Sequence, residues 1–113
     1  MAVKRPSSIK VLGQKYETSY DFDDKETLGL TVEDTSTIYV RGDLPEGKII
    51  RVLMHEVTHA ILNETPFSQR KRFDVEEVCD IVGFFLINVL KDNPHLVKYI
   101  LTDVDEDTEL ENK

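Results

Sequence analysis

The chain changes character near residue 43, and that change restricts its fold more than any other feature. Before it, the short runs "IKVL", "KYETSY", "LGLTV" and "STIYVRG" are rich in β-branched and aromatic residues and are separated by turn-forming or acidic stretches. Such runs favour extended strands. Gly13-Gln14, between the first two, reads as a hairpin turn in which glycine can take a positive φ. Because the connections are short, the expected sheet has three or four strands and is mostly antiparallel. After residue 43 the apolar spacing becomes helical. Asp43 is placed to cap a first helix, Pro45 to sit in its first turn and Glu46 to complete a capping box. That helix should run to Asn63, with Ile50, Leu53, Val57, Ala60 and Ile61 facing a core. "NETPFSQRKRFD" breaks the pattern at Pro66 and reads as a connecting loop. A second helix is expected from Asp74 to Lys91, nearly apolar on all sides after Asp80 and therefore central to the core. Asn93-Pro94 opens a short third helix, "PHLVKYIL".

These elements describe an α+β fold: a small N-terminal sheet packed on two principal helices and a short third one. At 113 residues the chain suffices for one domain with one modest core. Residues 1–102 are assigned to that domain and residues 103–113, "DVDEDTELENK", to an acidic, disordered tail. The tail holds six acids against one lysine and so carries five of the eight units of net negative charge. No basic stripe exists beyond Arg70-Lys71-Arg72, read as a solvated loop, so nucleic acid is not an expected partner. A composition of 40% hydrophobic and 32% charged residues suits a soluble globular protein, and no apolar run reaches the ~20 residues that cross a bilayer. The start, "MAVKRPSSIK", has no apolar segment behind its basic residues and does not read as a secretory signal. A lone cysteine, Cys79, suits a reducing compartment, hence the cytoplasm, and reads as a small buried apolar residue.

Within the first helix, His55-Glu56-Val57-Thr58-His59 spells H-E-x-x-H. Histidines four apart lie about 40° apart around a helix axis and can direct two imidazole nitrogens at one ion. The glutamate between them then points toward a water on that ion. Zinc acidifies such a water and polarises a carbonyl, while the glutamate takes the proton. The chain has only three histidines, and two stand at ligand spacing around a glutamate; the third, His95, reads as a surface residue. A catalytic site of this kind needs a third ligand from another element.

The candidates are Glu64, Asp74, Glu76, Glu77 and Asp80. Glu64 is too close in sequence to reach back easily. Asp74 is placed to cap the second helix, with Glu77 at the third helical position closing a capping box. Glu76 is thereby left free to bind metal, and Asp80, one turn later, to orient a ligating histidine. Glu77 and Asp80 remain the alternatives for the ligand. Tyr39, on the last strand, is a candidate oxyanion contact, and "STIYVRG" a candidate edge for pairing with an extended peptide.

"LMHEVTHAIL" followed by "VEEVCDIVGFFLINVLKDNPHLVKYI" resembles the small zincin-like metallopeptidases encoded by bacteriophages and prophages. The likeness spans most of residues 9–101. It implies a minimal gluzincin-type zinc site of His55, His59 and Glu76, with Glu56 as base, acting on a peptide or protein in the cytoplasm of a bacterial host. One departure from the family pattern is the placement of adjacent acids, here Val75-Glu76-Glu77 and displaced by one. A competing expectation is a phage-encoded binding or regulatory protein whose zinc is a structural strut, since 113 residues leave little material for a cleft.

Overall fold

The computed structural model describes residues 4–65 and 74–102. Its elements are β1 (Ser8–Val11), β2 (Gln14–Ser19), β3 (Gly29–Val32), β4 (Thr37–Val40), α1 (Glu46–Asn63), α2 (Val75–Asp92) and α3 (Pro94–Ile100). The α+β expectation holds at this level: four strands form one sheet in the order β1-β2-β4-β3, with the helices following in sequence.

β1 and β2 form an antiparallel hairpin in which Ile9 faces Tyr16, both fully buried, so the inward pair sets the register. Val11 then pairs with Gln14, and the turn residues are Leu12 and Gly13, at φ 49° and 91°. Two positive φ values in a two-residue loop match the right-handed twist of the flanking strands. The expected turn is thus displaced by one residue. β3 and β4 form a second antiparallel hairpin, with Gly29 opposite Val40 and Thr31 opposite Ile38. Between the hairpins the connection at residues 20–28 carries the chain past one strand position, which β4 later fills. β4 therefore runs parallel to β2, with Thr18 beside Ile38. Two of the three pairings are antiparallel, as expected, and the third is not.

Alternation places Ile9, Val11, Tyr16, Ile38 and Val40 on one face of the sheet, against Ile49, Leu53, Val57, Ala60 and Ile61 of α1. Leu53, Val57, Ala60 and Ile61 are inward as expected, while Ile49 takes the fully buried place expected for Ile50, which is only partly buried. The helix starts at Glu46 with Pro45 at its N-cap, without a side-chain cap. Asp43 does not cap it; its carboxylate pairs with Arg41 at 3.0 and 3.1 Å. Glu46 closes no capping box because the Arg5 guanidinium grips both of its oxygens at 2.9 Å and the Tyr99 hydroxyl donates to one of them. A bidentate charged pair is stronger than a bond to a backbone amide. Arg5 also lies 5.3 Å from the centre of the Tyr20 ring, and the Tyr20 hydroxyl donates to the Pro6 carbonyl at 2.8 Å. Burial pushes the Tyr20 phenol up to about 12.

α2 begins as expected, with Asp74 at the N-cap accepting from the Glu77 amide at 2.8 Å while the Glu77 carboxylate accepts from the Asp74 amide at 3.2 Å. Its place in the fold is not the expected one. Among the described residues α1 lies mainly across β1, β3 and β4, whereas α2 packs chiefly on β1, α1 and α3. With strands of four to six residues, one helix already fills the middle of the sheet. α2 is therefore peripheral: Ile81 and Val89 are buried, while Phe84 is 74% and Ile87 57% exposed. Cys79 is exposed as well, contrary to the buried role expected for it.

Asn93 precedes Pro94 at the start of α3 but does not cap the helix with its side chain. Its amide accepts from the Lys10 N–H at 2.8 Å and donates to the Lys10 and Val89 carbonyls, each at 2.7 Å. It thus imitates a neighbouring strand along the outer edge of β1. His95, exposed as expected, places Nε2 2.8 Å from the Ser8 carbonyl on the same edge. The other edge of the sheet is β3.

Candidate active site on α1

The spacing that buries Leu53, Val57, Ala60 and Ile61 sends His55 and His59 outward, and both are exposed. Their ring centres are 5.0 Å apart and their planes meet at 68°. Glu56 turns inward, toward β3, and is 5% exposed. The Thr31 hydroxyl donates to Glu56 Oε1 at 2.7 Å and lies 3.1 Å from the Glu56 carbonyl. The second carboxylate oxygen faces Gly29. A Cβ there would stand 3.2 Å from Glu56 Oε2 and 2.8 Å from both the Tyr39 carbonyl and Val52 Cγ1. Only glycine lets the edge strand approach the helix this closely.

Where β3 begins to diverge from α1, a cleft of 490 Å³ opens between Leu28 and Gly29 on one side and Lys48, Arg51, His55 and Glu56 on the other. One acid and three basic or imidazole side chains thus share one apolar-backed groove. Another hollow, of 390 Å³, lies between the loop at residues 20–25 and Arg41–Asp43; none of the expected site residues lines it. The first is the one that His55 and Glu56 line.

The remaining sequence candidates lie elsewhere. Glu76 and Asp80 are exposed on α2, on the side that carries Phe84, and Glu77 is engaged in its capping box. Among the described residues no group of three or more His, Cys, Asp or Glu side chains is disposed to hold a metal ion. His55 and His59 thus stand as a pair, and Glu76 does not join them in such a group. Glu64 accepts from the buried Tyr16 hydroxyl at 2.7 Å; burial first, and this carboxylate second, push the Tyr16 phenol well above its ordinary range. Tyr39 alternates with the inward Ile38 and Val40, and its ring lies 5.6 Å from that of Phe22, so it sits across the sheet from Glu56. β4 is an inner strand, so "STIYVRG" cannot receive a peptide by edge pairing; β3 holds that position. Arg70, Lys71 and Arg72 and the acidic residues 103–113 lie outside the described residues.

Sequence reasoning missed Gly29, Thr31, Lys48 and Arg51. A glycine opening a strand pattern is a recognised sign of close backbone approach and marks Gly29. Nothing local marks Thr31, whose role depends on the β3–α1 contact. Comparison of the chain with known protein families, with curated proteins and with solved structures finds no match.

Proposed function

We propose that α1 carries the active centre of a zinc-dependent peptidase, the activity implied by the resemblance to phage-encoded zincin-like enzymes. The observation that carries this reading is the disposition of three side chains within five residues, His55, Glu56 and His59. His55 and His59 project outward within one turn, while the Glu56 carboxylate between them is buried, tied by one oxygen to Thr31 and open by the other toward the cleft. Zinc, when bound by the two imidazoles, supplies carbonyl polarisation and acidification of water. Glu56 is the base that takes the proton of the attacking water, and Thr31 holds its carboxylate in place. An extended peptide laid against β3 would pass the cleft, with Lys48 and Arg51 favouring an anionic group on it. Glu76 and Asp80 have no part in this reading where they stand. A host cytoplasm is the compartment that accompanies the resemblance.

Two observations favour a second reading, a binding protein that cleaves nothing: Glu76 stands on the outer side of α2, and Glu56 already has a structural partner in Thr31. Glu56→Gln separates the two. Under the peptidase reading the variant keeps its fold and its metal but loses cleavage of a broad peptide library. A variant as active as the wild type refutes the assignment of the base, and a wild type that cleaves no peptide leaves the binding protein.

A further inference from the structure

β3 borders the cleft, and its ladder with β4 fixes which of its backbone groups face outward. The Arg41 amide donates to the Leu28 carbonyl at 2.9 Å, so Leu28 and Arg41 are a hydrogen-bonded pair. Such pairs alternate in an antiparallel ladder, which makes Leu30 with Tyr39 and Val32 with Thr37 the next two. Gly29 and Thr31 therefore turn their N–H and C=O groups away from β4, to the open edge. On the other side of β4 the Glu17 amide donates to the Ser36 carbonyl at 3.0 Å, which is the alternation this assignment requires. Among the described residues no strand pairs with the outer edge of β3.

β3 and α1 run in the same sense along the cleft. Thr27 and Leu28 line it together with Lys48 and Arg51, Gly29 stands against Val52 and Glu56, and the Thr31 hydroxyl reaches Glu56. A peptide that bonds to Gly29 and Thr31 in the antiparallel sense, the more stable pairing, thus runs from Glu56 toward Lys48. Its residues opposite Gly29 and Thr31 direct their side chains to the α1 face, because directly opposed residues share a face.

The end of the cleft nearest the start of α1 is cationic, in a chain of net charge -8. Lys48 and Arg51 are exposed there, while Glu56, the one carboxylate among the described lining residues, is buried against Thr31. Lys48 is in the first turn of α1, where the helix dipole disfavours a cation. Among the described residues no carboxylate forms an ion pair with it. Two cations on one wall of a cleft attract an anion. From His55, Arg51 and Lys48 lie about 6 and 10 Å back along the helix, a span that an extended peptide covers in two or three residues.

We infer that the cleft selects a peptide bearing a carboxylate two or three residues to the C-terminal side of the bond held at His55 and Glu56, and that Lys48 and Arg51 receive it. The carboxylate is an acidic side chain or the peptide's own C-terminus. The place of the cleaved bond rests on the peptidase reading; the direction of the peptide and the recognition of its carboxylate do not.

The test is peptide binding by the full chain in chelator, where nothing is cleaved, followed through the backbone amide NMR signals of Gly29 and Thr31. Four N-acetylated hexapeptides of threonine and alanine are compared: amidated with glutamate last, amidated with glutamate first, amidated and neutral, and neutral with a free C-terminal carboxylate. The first should bind about five- to tenfold tighter than the second and third, as two partly exposed ion pairs allow. Binding of the fourth as tight as the first assigns the site to a chain end, and binding as weak as the third assigns it to a side chain. Lys48→Glu should abolish the preference and Lys48→Arg keep it, both with wild-type circular dichroism. Equal binding of all four peptides, tighter binding of the glutamate-first peptide, a preference unchanged in Lys48→Glu, or no shift at Gly29 and Thr31 overturns the inference. With zinc added, cleavage should fall two or three residues before the glutamate, and cleavage on its other side overturns the direction. A protein that keeps the preference but cleaves nothing refutes the peptidase reading alone.

Discussion

Gly29→Ala tests how closely the edge strand β3 approaches α1. The added Cβ would meet the Tyr39 carbonyl and Val52 Cγ1 at 2.8 Å. Unstrained carbon contacts lie at about 3.5–4.0 Å, so both neighbours are well inside the repulsive wall. The carbonyl belongs to the β3–β4 pairing and cannot move without disturbing it, so strain of about 1–3 kcal/mol is expected, the range for overpacked interiors. Gly29 does not occupy the left-handed region, so alanine also gains about 0.4–1 kcal/mol by restricting the unfolded chain. The net loss should be about 1–2 kcal/mol, read as a lower urea midpoint at unchanged slope, or as a fall in Tm of roughly 4–8 °C per kcal/mol. Val52→Ala removes one of the two clashing atoms and serves as the second arm of a double-mutant cycle. The two substitutions should couple favourably by about 0.5–1 kcal/mol, with the Tyr39 carbonyl contact accounting for what is not recovered. A Gly29→Ala protein as stable as wild type, or strict additivity with Val52→Ala, would refute the close approach.

Two further predictions concern the ties that hold the helices to the sheet. Asn93→Ala removes three hydrogen bonds of 2.7–2.8 Å and leaves the buried Val89 carbonyl without that partner, so urea unfolding should show a loss of about 2–4 kcal/mol. The Arg5 guanidinium holds the Glu46 carboxyl below its ordinary value of 4.5, so this pair stabilises the fold above that pH and is lost as the pH falls through the lower, folded-state value. Glu46→Gln should therefore be less stable than wild type at neutral pH and lose less stability on acidification below pH 4.5, as followed by thermal melts across pH.

The features legible in the sequence were those decided locally. The Asp74–Glu77 capping box lies within four residues, and the bounds of α2 and α3 followed from it and from Pro94. The inward face of α1 followed from apolar spacing alone, and with it the outward pair His55 and His59. What depended on distant partners was not legible. Asp43 and Glu46 have the spacing of a capping box, but Arg41 and Arg5 draw them away. The apolar residues of α2 read as core, yet α1 had already covered the short strands, leaving Phe84 and Ile87 outside. The parallel pairing of β2 with β4 depends on where a later hairpin lands, which no property of either strand announces. Glu76 is exposed on α2; its spacing gave its neighbours on that helix, whereas the place of α2 in the fold depends on contacts with β1, α1 and α3.

The central claim is that His55 and His59 hold a metal ion, and metal content measures it directly. Full-length wild type and the variants His55→Ala and His59→Ala would be loaded with zinc, freed of unbound ion by gel filtration, and assayed by atomic absorption. The account predicts about one zinc per wild-type chain and a loss of that zinc in each variant. Equal zinc contents in the three proteins, whether negligible or stoichiometric, would contradict it.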